Sequence, residues 1–159
     1  TFFNILGPLV NPSFPKNQIV GVFNLELARL YSYLFQKTNK NYAIIHSLDG
    51  YDEISLTGNV KIITRNEENI FSPQDLSLQK LNSKSINGGE TIKESAKIFM
   101  NILQNKGTKS QNQVIFANAG LAISTALNIS IEDGIEKAKE ALKSYKAFEA
   151  FNKLKNLSE

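Results

Sequence analysis

An acidic loop is the part of the sequence best suited to chemistry. Asp49, Asp52 and Glu53 lie in the run DGYDE, which follows a short apolar segment ending at His46. Residues that follow a strand of a parallel sheet lie at the end where α/β proteins bind ligands. Adjacent carboxylates in a loop can turn toward one ion, and oxygen ligands alone suit Mg²⁺. The alternative is a solvated acidic loop, which is the commoner case for such a pair taken by itself.

Four other polar features have weaker claims to a function. The run SLTGN at 55–59 has donors for an anion, but a polar turn is its more usual meaning. His46 is expected to be a structural side chain bonded to backbone rather than a ligand contact. Asn118 lies in an apolar helix, where a buried amide must be hydrogen-bonded, and we expect it to tie that helix to a neighbouring loop. Gly88 and Gly89 precede a helix, but no nucleotide-binding motif accompanies them.

The composition excludes several classes of protein. The chain has 159 residues, of which 42% are apolar and 21% charged, as expected for one folded domain. With no cysteine and a single histidine, disulfides, thiolate zinc sites, cysteine nucleophiles and multi-histidine metal sites are excluded. The net charge of +3 comes mostly from dispersed lysines, so we expect no nucleic-acid partner. No run approaches the roughly 18 apolar residues of a membrane span, so we expect no membrane association.

The first half of the chain carries the pattern of a βαβ unit. QIVGVF at 18–23 and YAIIH at 42–46 are predicted to be buried strands. Between them, apolar residues recur at helical spacing over about 25–38, and Asn24 is placed to cap that helix. The two strands should therefore be parallel and close neighbours.

The second half adds a hairpin and helices. Two short runs, 60–65 and 69–71, predict a strand hairpin at the sheet edge. Helices are predicted over about 90–105, 110–127 and 130–155, and the second, apolar almost all round, should be the most buried. The fold class is α/β: a small mainly parallel sheet with a strand hairpin, covered by helices. The predicted core comprises Ile19, Val20, Val22, Ala43, Ile44, Ile45 and the helix at 116–123.

Residues 1–17 differ from the rest of the chain. This segment, TFFNILGPLVNPSFPKN, contains three prolines and a glycine, which prevent one continuous helix. Its apolar residues indicate that it packs against a surface. We interpret 1–17 as an inter-domain connector and 18–159 as an α/β domain.

Four motifs in this order resemble the anthranilate phosphoribosyltransferase family. They are FNILGPLVNP at 3–12, QIVGV at 18–22, DGYDEIS at 49–55 and the pair Asn118-Ala119. The first and third are specific when taken together, and the match extends over nearly the whole chain. The resemblance implies the large α/β domain of the nucleoside phosphorylase and phosphoribosyltransferase type, joined in the family to a small helical domain.

The resemblance also implies a reaction and site residues. Enzymes of this family join anthranilate to phosphoribosyl pyrophosphate with Mg²⁺, in the cytoplasmic pathway to tryptophan. Asp52 and Glu53 match the carboxylates that bind two Mg²⁺ ions in the family, and Glu53 matches the one that serves both ions. Asn4, Gly7 and Pro8 belong to the segment that flanks the anthranilate pocket. No residue of this chain matches a catalytic role.

The same resemblance implies that part of the enzyme lies outside this sequence. The glycine-rich phosphate loop, most of the helical domain and an arginine that contacts anthranilate would precede Thr1. We therefore expect a C-terminal fragment that is inactive by itself, from a full-length protein that forms a homodimer. Residues that would meet the helical domain should be exposed; the candidates are Phe2, Phe3, Ile5, Leu6 and Leu9.

Two other functions remain open at this stage. One is a pyrimidine nucleoside phosphorylase or a phosphoribosyltransferase-like paralogue on the same fold. The other is a non-catalytic domain that binds nucleotide or protein. Both would leave the acidic loop without the proposed anthranilate chemistry.

Overall fold

The computed structural model describes residues 2–158, apart from the side chain of Phe2. Four strands and six α-helices are present in this range, with two short 3-10 helices at Gly7–Leu9 and Ser83–Ile86. The elements are α1 (Phe2–Leu6), β1 (Asn17–Gly21), α2 (Leu25–Gln36), β2 (Asn41–Ser47), β3 (Val60–Thr64), β4 (Glu68–Phe71), α3 (Ile92–Leu103), α4 (Lys109–Leu127), α5 (Ile131–Lys143) and α6 (Lys146–Ser158).

The sheet has the strand order β1-β2-β3-β4. β1 and β2 are parallel, with Val20 opposite Ile44, which confirms the βαβ unit. The other two pairings are antiparallel, so the sheet is mixed rather than mainly parallel. The reason is the connection from β2 to β3: parallel neighbours usually need a crossover helix, and 48–59 is an irregular loop that turns straight back. The hairpin of β3 and β4 and the α/β class are confirmed.

Two apolar cores lie on opposite faces of the sheet. Side chains alternate along a strand, so Ala43 and Ile45 of β2 face one core and Tyr42 and Ile44 face the other. The first core is closed by residues of α4 and α5, and the second by residues of α2. The predicted core strands are therefore confirmed, although Ile19 is only half-buried.

The helix α2 begins as the sequence indicates. The side chain of Asn24 accepts a hydrogen bond from the amide of Leu27 at 2.8 Å, which satisfies a donor of the first turn. Tyr31 and Phe35 are buried beneath the helix, and the ring of Phe35 stacks on Tyr42 of β2 with centroids 5.3 Å apart. These contacts fix α2 against the sheet.

The helix α4 is less buried than its composition suggests. Ala117, Gly120 and Leu121 are buried, whereas Ile115 and Leu127 are exposed. A helix that is apolar all round has no preferred inner face in its sequence. Contacts with the sheet and α5 determine which face of α4 is buried, and the opposite face is exposed to solvent.

The predicted last helix is two helices. Ser130 caps α5 by accepting from the amide of Asp133 at 3.1 Å, as expected. At Tyr145 the backbone turns left-handed, with φ 61°, and the helix stops before α6 begins. This turn brings Phe151 of α6 against Phe99 of α3, with ring centroids 5.0 Å apart. No glycine or proline marks the turn, so the pattern gave no warning of it.

The segment before β1 packs onto α2. The hydroxyl of Tyr31 donates to the carbonyl of Ile5, and the side-chain Nε2 of Gln18 donates to the carbonyl of Pro8. Ile5 and Leu9 are half-buried against the core beneath α2, which corrects the expectation that both are exposed. The remaining candidates divide: Phe3 is exposed, Leu6 is half-buried, and the side chain of Phe2 lies outside the described residues.

Among residues 2–158, no single helix is long and apolar enough to cross a membrane. Within the same range, α4 and α5 taken together have the length and apolar composition of a span, but they meet at a bend of 116°.

The contact between Tyr31 and Ile5 predicts a change in stability at alkaline pH. Burial raises the pKa of the Tyr31 phenol above its ordinary value of about 10. The unfolded chain therefore releases this proton at lower pH than the folded one, and the free energy of unfolding falls as the pH rises above about 10. Tyr31→Phe loses about 1 kcal/mol near pH 8, because the carbonyl of Ile5 loses its donor.

Urea unfolding of both proteins from about pH 8 to about pH 11 checks this. The difference in free energy of unfolding between wild type and Tyr31→Phe should narrow above about pH 10, because only wild type has this phenol to ionise. Parallel curves over the whole range would show that Tyr31 is not buried as described.

Candidate functional site

The acidic loop lies where the sequence places it. Asp52 and Glu53 follow β2 at its carboxyl end, beside the end of the parallel strand β1, and both are exposed. Their predicted position in a loop at the carboxyl end of the sheet is confirmed. Neither carboxylate has a hydrogen bond or an ion pair with any other side chain or backbone group among residues 2–158, so both remain available to a ligand.

The end of β2 holds the loop from below. The hydroxyl of Ser47 donates to the carbonyl of Glu53 at 2.6 Å, and the amide of Ser47 donates to the carbonyl of Tyr51 at 2.9 Å. Ser47 is fully buried, so its hydroxyl cannot be satisfied by bulk water. One residue of the strand therefore fixes the backbone on both sides of Asp52.

The helix α4 holds the loop from the side. Oδ1 of Asn118 accepts from the amide of Ile54, and Nδ2 of Asn118 donates to the carbonyl of Ile54, both at 2.9 Å. Nδ2 also donates to the carbonyl of Val114 one turn earlier. The expectation that Asn118 ties its helix to a neighbouring loop is confirmed, and that loop is the acidic one.

Gly21 also shapes the site, in a way that the apolar strand pattern alone does not predict. A Cβ atom placed on this residue would lie 1.8 Å from the carbonyl oxygen of Asp52, so the loop backbone rests directly on the end of β1. A side chain cannot fit between them. A glycine inside an apolar strand is the available signal, since it often marks a close approach of another backbone.

The hydroxyls of the SLTGN run serve the loop itself. Thr57 donates to a carboxylate oxygen of Asp49, and Ser55 lies 3.4 Å from the other oxygen. The hydroxyl oxygens of Thr57 and Ser55 lie 2.8 Å apart, within hydrogen-bonding distance of each other. The run is therefore a polar turn that holds Asp49, and its hydroxyls are engaged within the protein.

The structural interpretation of His46 is also confirmed. Its ring is buried, and Nδ1 donates to the carbonyl of Val22 at 2.9 Å. This bond joins the end of β2 to the residue that follows β1. His46 thus helps to keep the two strand ends, and the loop above them, at a fixed separation.

The glycine pair before α3 already faces a carboxylate. Glu94 Oε2 accepts from the amide of Glu90 at 2.8 Å, and Thr91 caps the helix by accepting from the amide of Glu94. These two bonds place a carboxylate beside the start of the helix and occupy two of the amides there, which disfavours a phosphate. The weak phosphate signal of Gly88 and Gly89 receives no support from this geometry.

The three connector residues belong to the segment that precedes β1. Asn4 and Gly7 are exposed, and Pro8 is half-buried, with its carbonyl held by Gln18. Their segment packs with the core beneath α2, whereas Ile54, next to Glu53, packs in the core beneath α4. That Asn4, Gly7 and Pro8 flank an anthranilate pocket stays a prediction.

Comparison with known proteins agrees with the resemblance in the sequence. Residues 1–148 match the model of the glycosyl transferase family, a/b domain. The chain belongs to this family. It is 60% identical over 158 residues to the anthranilate phosphoribosyltransferase of Flavobacterium psychrophilum and 57% identical over 159 residues to that of Christiangramia forsetii. These alignments cover 99% and 100% of this chain but 48% of each relative, so the chain spans about half the length of the curated relatives it matches.

A solved structure extends this likeness to the fold. The anthranilate phosphoribosyltransferase of Saccharomyces cerevisiae in complex with PRPP and Mg superposes with a TM-score of 0.86 over 96% of this chain and 44% of that one. The two sequences are 24% identical, so this comparison shows the shared fold alone.

The glycosyl transferase domain offers oxygen ligands for a metal, but few of them. Asp52 and Glu53 are adjacent, exposed and free of partners among residues 2–158, as a cation would require. No group of three or more His, Cys, Asp or Glu side chains gathers around a common point in the part of the chain described. This donor set fits Mg²⁺, which keeps several waters and shares its shell with substrate phosphates.

The contact at Gly21 predicts that a single methyl group disturbs this site. Gly21→Ala forces the loop backbone away from β1, and we expect a loss of about 1–3 kcal/mol in the free energy of unfolding. Gly88→Ala is the matched control, since nothing lies within 4 Å of the added Cβ and its φ is not in the left-handed region. Urea denaturation of the two variants measures the difference. Equal stability of both would contradict the close approach at Asp52.

Proposed function

We propose that this chain provides the metal-binding carboxylates of an anthranilate phosphoribosyltransferase. The observation that carries the proposal is the pair Asp52 and Glu53, exposed and unpaired on a loop that Ser47 and Asn118 hold in place. Relatives at 57–60% identity bear that name. In the proposed reaction the anthranilate nitrogen attacks the ribose carbon, the bond to pyrophosphate breaks, and the nitrogen releases a proton.

The carboxylates have a definite role in this chemistry. When bound, Mg²⁺ neutralises charge on the departing pyrophosphate. Asp52 and Glu53 would hold two Mg²⁺ ions at the carboxyl end of the sheet, and Glu53 would serve both of them. Because Ser47 and Asn118 fix the backbone on either side of Glu53, the carboxylates need little reorganisation to receive the metal.

The proposal assigns the remaining parts of the site to a longer protein. Asn4, Gly7 and Pro8 would flank bound anthranilate, and the other half of the enzyme would supply the phosphate loop and the residues that orient the substrates. This whole enzyme would be about twice as long as the present chain. We further propose that it is a cytoplasmic homodimer whose partners are its small-molecule substrates, not nucleic acid or membrane.

Removal of one carboxylate should abolish most activity of the whole enzyme. We expect Glu53→Ala to lower kcat/KM for phosphoribosyl pyrophosphate by about 100-fold or more, since metal stabilisation of the leaving charge contributes several kcal/mol. Glu136→Ala is the control, because Glu136 is exposed on α5 and pairs only with Lys139 at the surface. The decrease in anthranilate fluorescence gives the rate. Similar, near-wild-type rates for both variants would refute the metal assignment, and phosphorolysis of thymidine instead would favour a nucleoside phosphorylase.

The present chain alone should show no measurable transfer. Catalysis needs pyrophosphate, the ribose carbon and the anthranilate amine held together, and such positioning is worth effective molarities of roughly 10⁵–10⁸ M. The described chain contributes the carboxylates, whereas the phosphate loop and the residues that orient the substrates would lie in the other half of the enzyme. Purified chain with anthranilate, phosphoribosyl pyrophosphate and Mg²⁺ should leave the anthranilate fluorescence unchanged. Turnover close to that of the whole enzyme would mean that this chain contains a complete site.

A further inference from the structure

We propose that Asn118 of α4 is a positioning residue that sets the direction of the Asp52 and Glu53 carboxylates and thereby the affinity for the metal bound with phosphoribosyl pyrophosphate. The inference rests on the proposed function, and it adds a residue 65 positions from Glu53 along the chain. Asn118 would touch neither metal nor substrate. It acts through the backbone of Ile54, which is covalently next to Glu53.

The two hydrogen bonds of Asn118 hold the two peptide groups that flank the Cα atom of Ile54. One side-chain amide accepts from the N–H of Ile54 and donates to the C=O of the same residue, both at 2.9 Å. A paired contact of this kind restricts rotation as well as distance, which a single bond does not. Because Ile54 is itself buried, its backbone cannot exchange these bonds for water.

The amide of Asn118 is in turn held by its own helix. Nδ2 donates a second bond to the carbonyl of Val114 at 2.9 Å, so the side chain cannot rotate without breaking contacts on both sides. This arrangement orients the amide toward the loop before any ligand is present.

The helix is also closely packed where Asn118 lies. Two residues farther along, Gly120 packs against α5: a Cβ on Gly120 would lie 2.8 Å from the backbone of Ile135, and one on Gly134 would lie 2.2 Å from the carbonyl oxygen of Gly120. The two helices thus cross with their backbones in contact. Asn118 transmits this fixed position of α4 to the acidic loop.

The loop needs such support because its charges oppose one another. Asp52 and Glu53 are adjacent carboxylates with no cationic partner among the described residues. Without constraint, repulsion favours conformations in which the two groups point apart, and a metal must then reorganise the loop to bind. Residues that orient metal ligands in this way typically change metal affinity by about 10–100-fold when removed.

The same helix contains a matched control. Oε1 of Gln113 accepts from the backbone amide of Gln79 at 2.8 Å, and the side chain is 7% exposed. Like Asn118, Gln113 is an amide of α4 that ties the helix to a loop. Its loop, however, is the segment after β4 and not the acidic one.

The test compares Asn118→Ala and Gln113→Ala in the whole enzyme. Electron paramagnetic resonance of Mn²⁺ in the presence of phosphoribosyl pyrophosphate measures metal binding directly. We expect Asn118→Ala to weaken Mn²⁺ binding by about 10-fold or more and Gln113→Ala to leave it unchanged. In steady-state assays, Asn118→Ala should raise the KM for phosphoribosyl pyrophosphate and the Mg²⁺ concentration required, while the KM for anthranilate stays the same.

A second variant, Asn118→Asp, tests the same role if Asn118→Ala fails to fold. Asn118→Asp is nearly isosteric and keeps the acceptor for the amide of Ile54, but it loses both donors of Nδ2. In this variant we expect hydrogen exchange at the residue after Glu53 to accelerate and Mn²⁺ binding to weaken, because a carboxylate oxygen then faces the carbonyls of Ile54 and Val114.

The outcomes separate the inference from the proposed function. An active wild type with unchanged Mn²⁺ binding in Asn118→Asp, or with equal weakening in Gln113→Ala, overturns the role of Asn118 and leaves the proposed function standing. A whole enzyme that neither transfers phosphoribosyl nor binds Mn²⁺ overturns both. Weakening confined to Asn118 variants, with an altered KM for phosphoribosyl pyrophosphate alone, supports both.

Discussion

The strand β2 is the element on which the other parts of the molecule depend. It is the partner of both β1 and β3, and its side chains from Tyr42 to Ser47 are buried on both faces of the sheet. Because side chains alternate along a strand, one short run supplies the floor of two separate cores. Its last residues, His46 and Ser47, then hold the strand end and the acidic loop by bonds to backbone carbonyls. Apolar burial thus fixes the strand, and the strand fixes the site.

The acidic loop shows how a protein keeps two charges available while fixing the backbone that carries them. Neutral groups hold the backbone around Asp52 and Glu53; they include a serine hydroxyl, an asparagine amide and a glycine that admits the loop backbone at close range. An arginine or lysine in their place would also have stabilised the loop, but it would have competed with a metal for the carboxylates. The cost of holding adjacent like charges together is met by buried hydrogen bonds below and beside the loop.

Much of this organisation follows from local patterns. Apolar runs flanking an amphipathic stretch define the βαβ unit, and Asn24 and Ser130 mark helix starts because their side chains satisfy free backbone amides within the same turn. Asn118 was recognisable for a related reason: a buried amide in an apolar helix requires partners, whatever the fold. Its partner, Ile54, lies 64 positions away in the sequence, so no pattern of neighbouring residues predicts this pairing.

The sequence by itself determined the α/β class, the positions of most elements, and the acidic pair at the end of the second strand, since these depend on residues close together in the chain. Only the tertiary structure decided the mixed character of the sheet, the exposed side of α4 and the turn at Tyr145 between α5 and α6. The need for glycine at position 21 belongs to the same group, because the group that excludes a side chain there is the carbonyl of Asp52. Each of these features arises from contacts between segments distant in sequence, whose relative placement is set by packing of the whole domain.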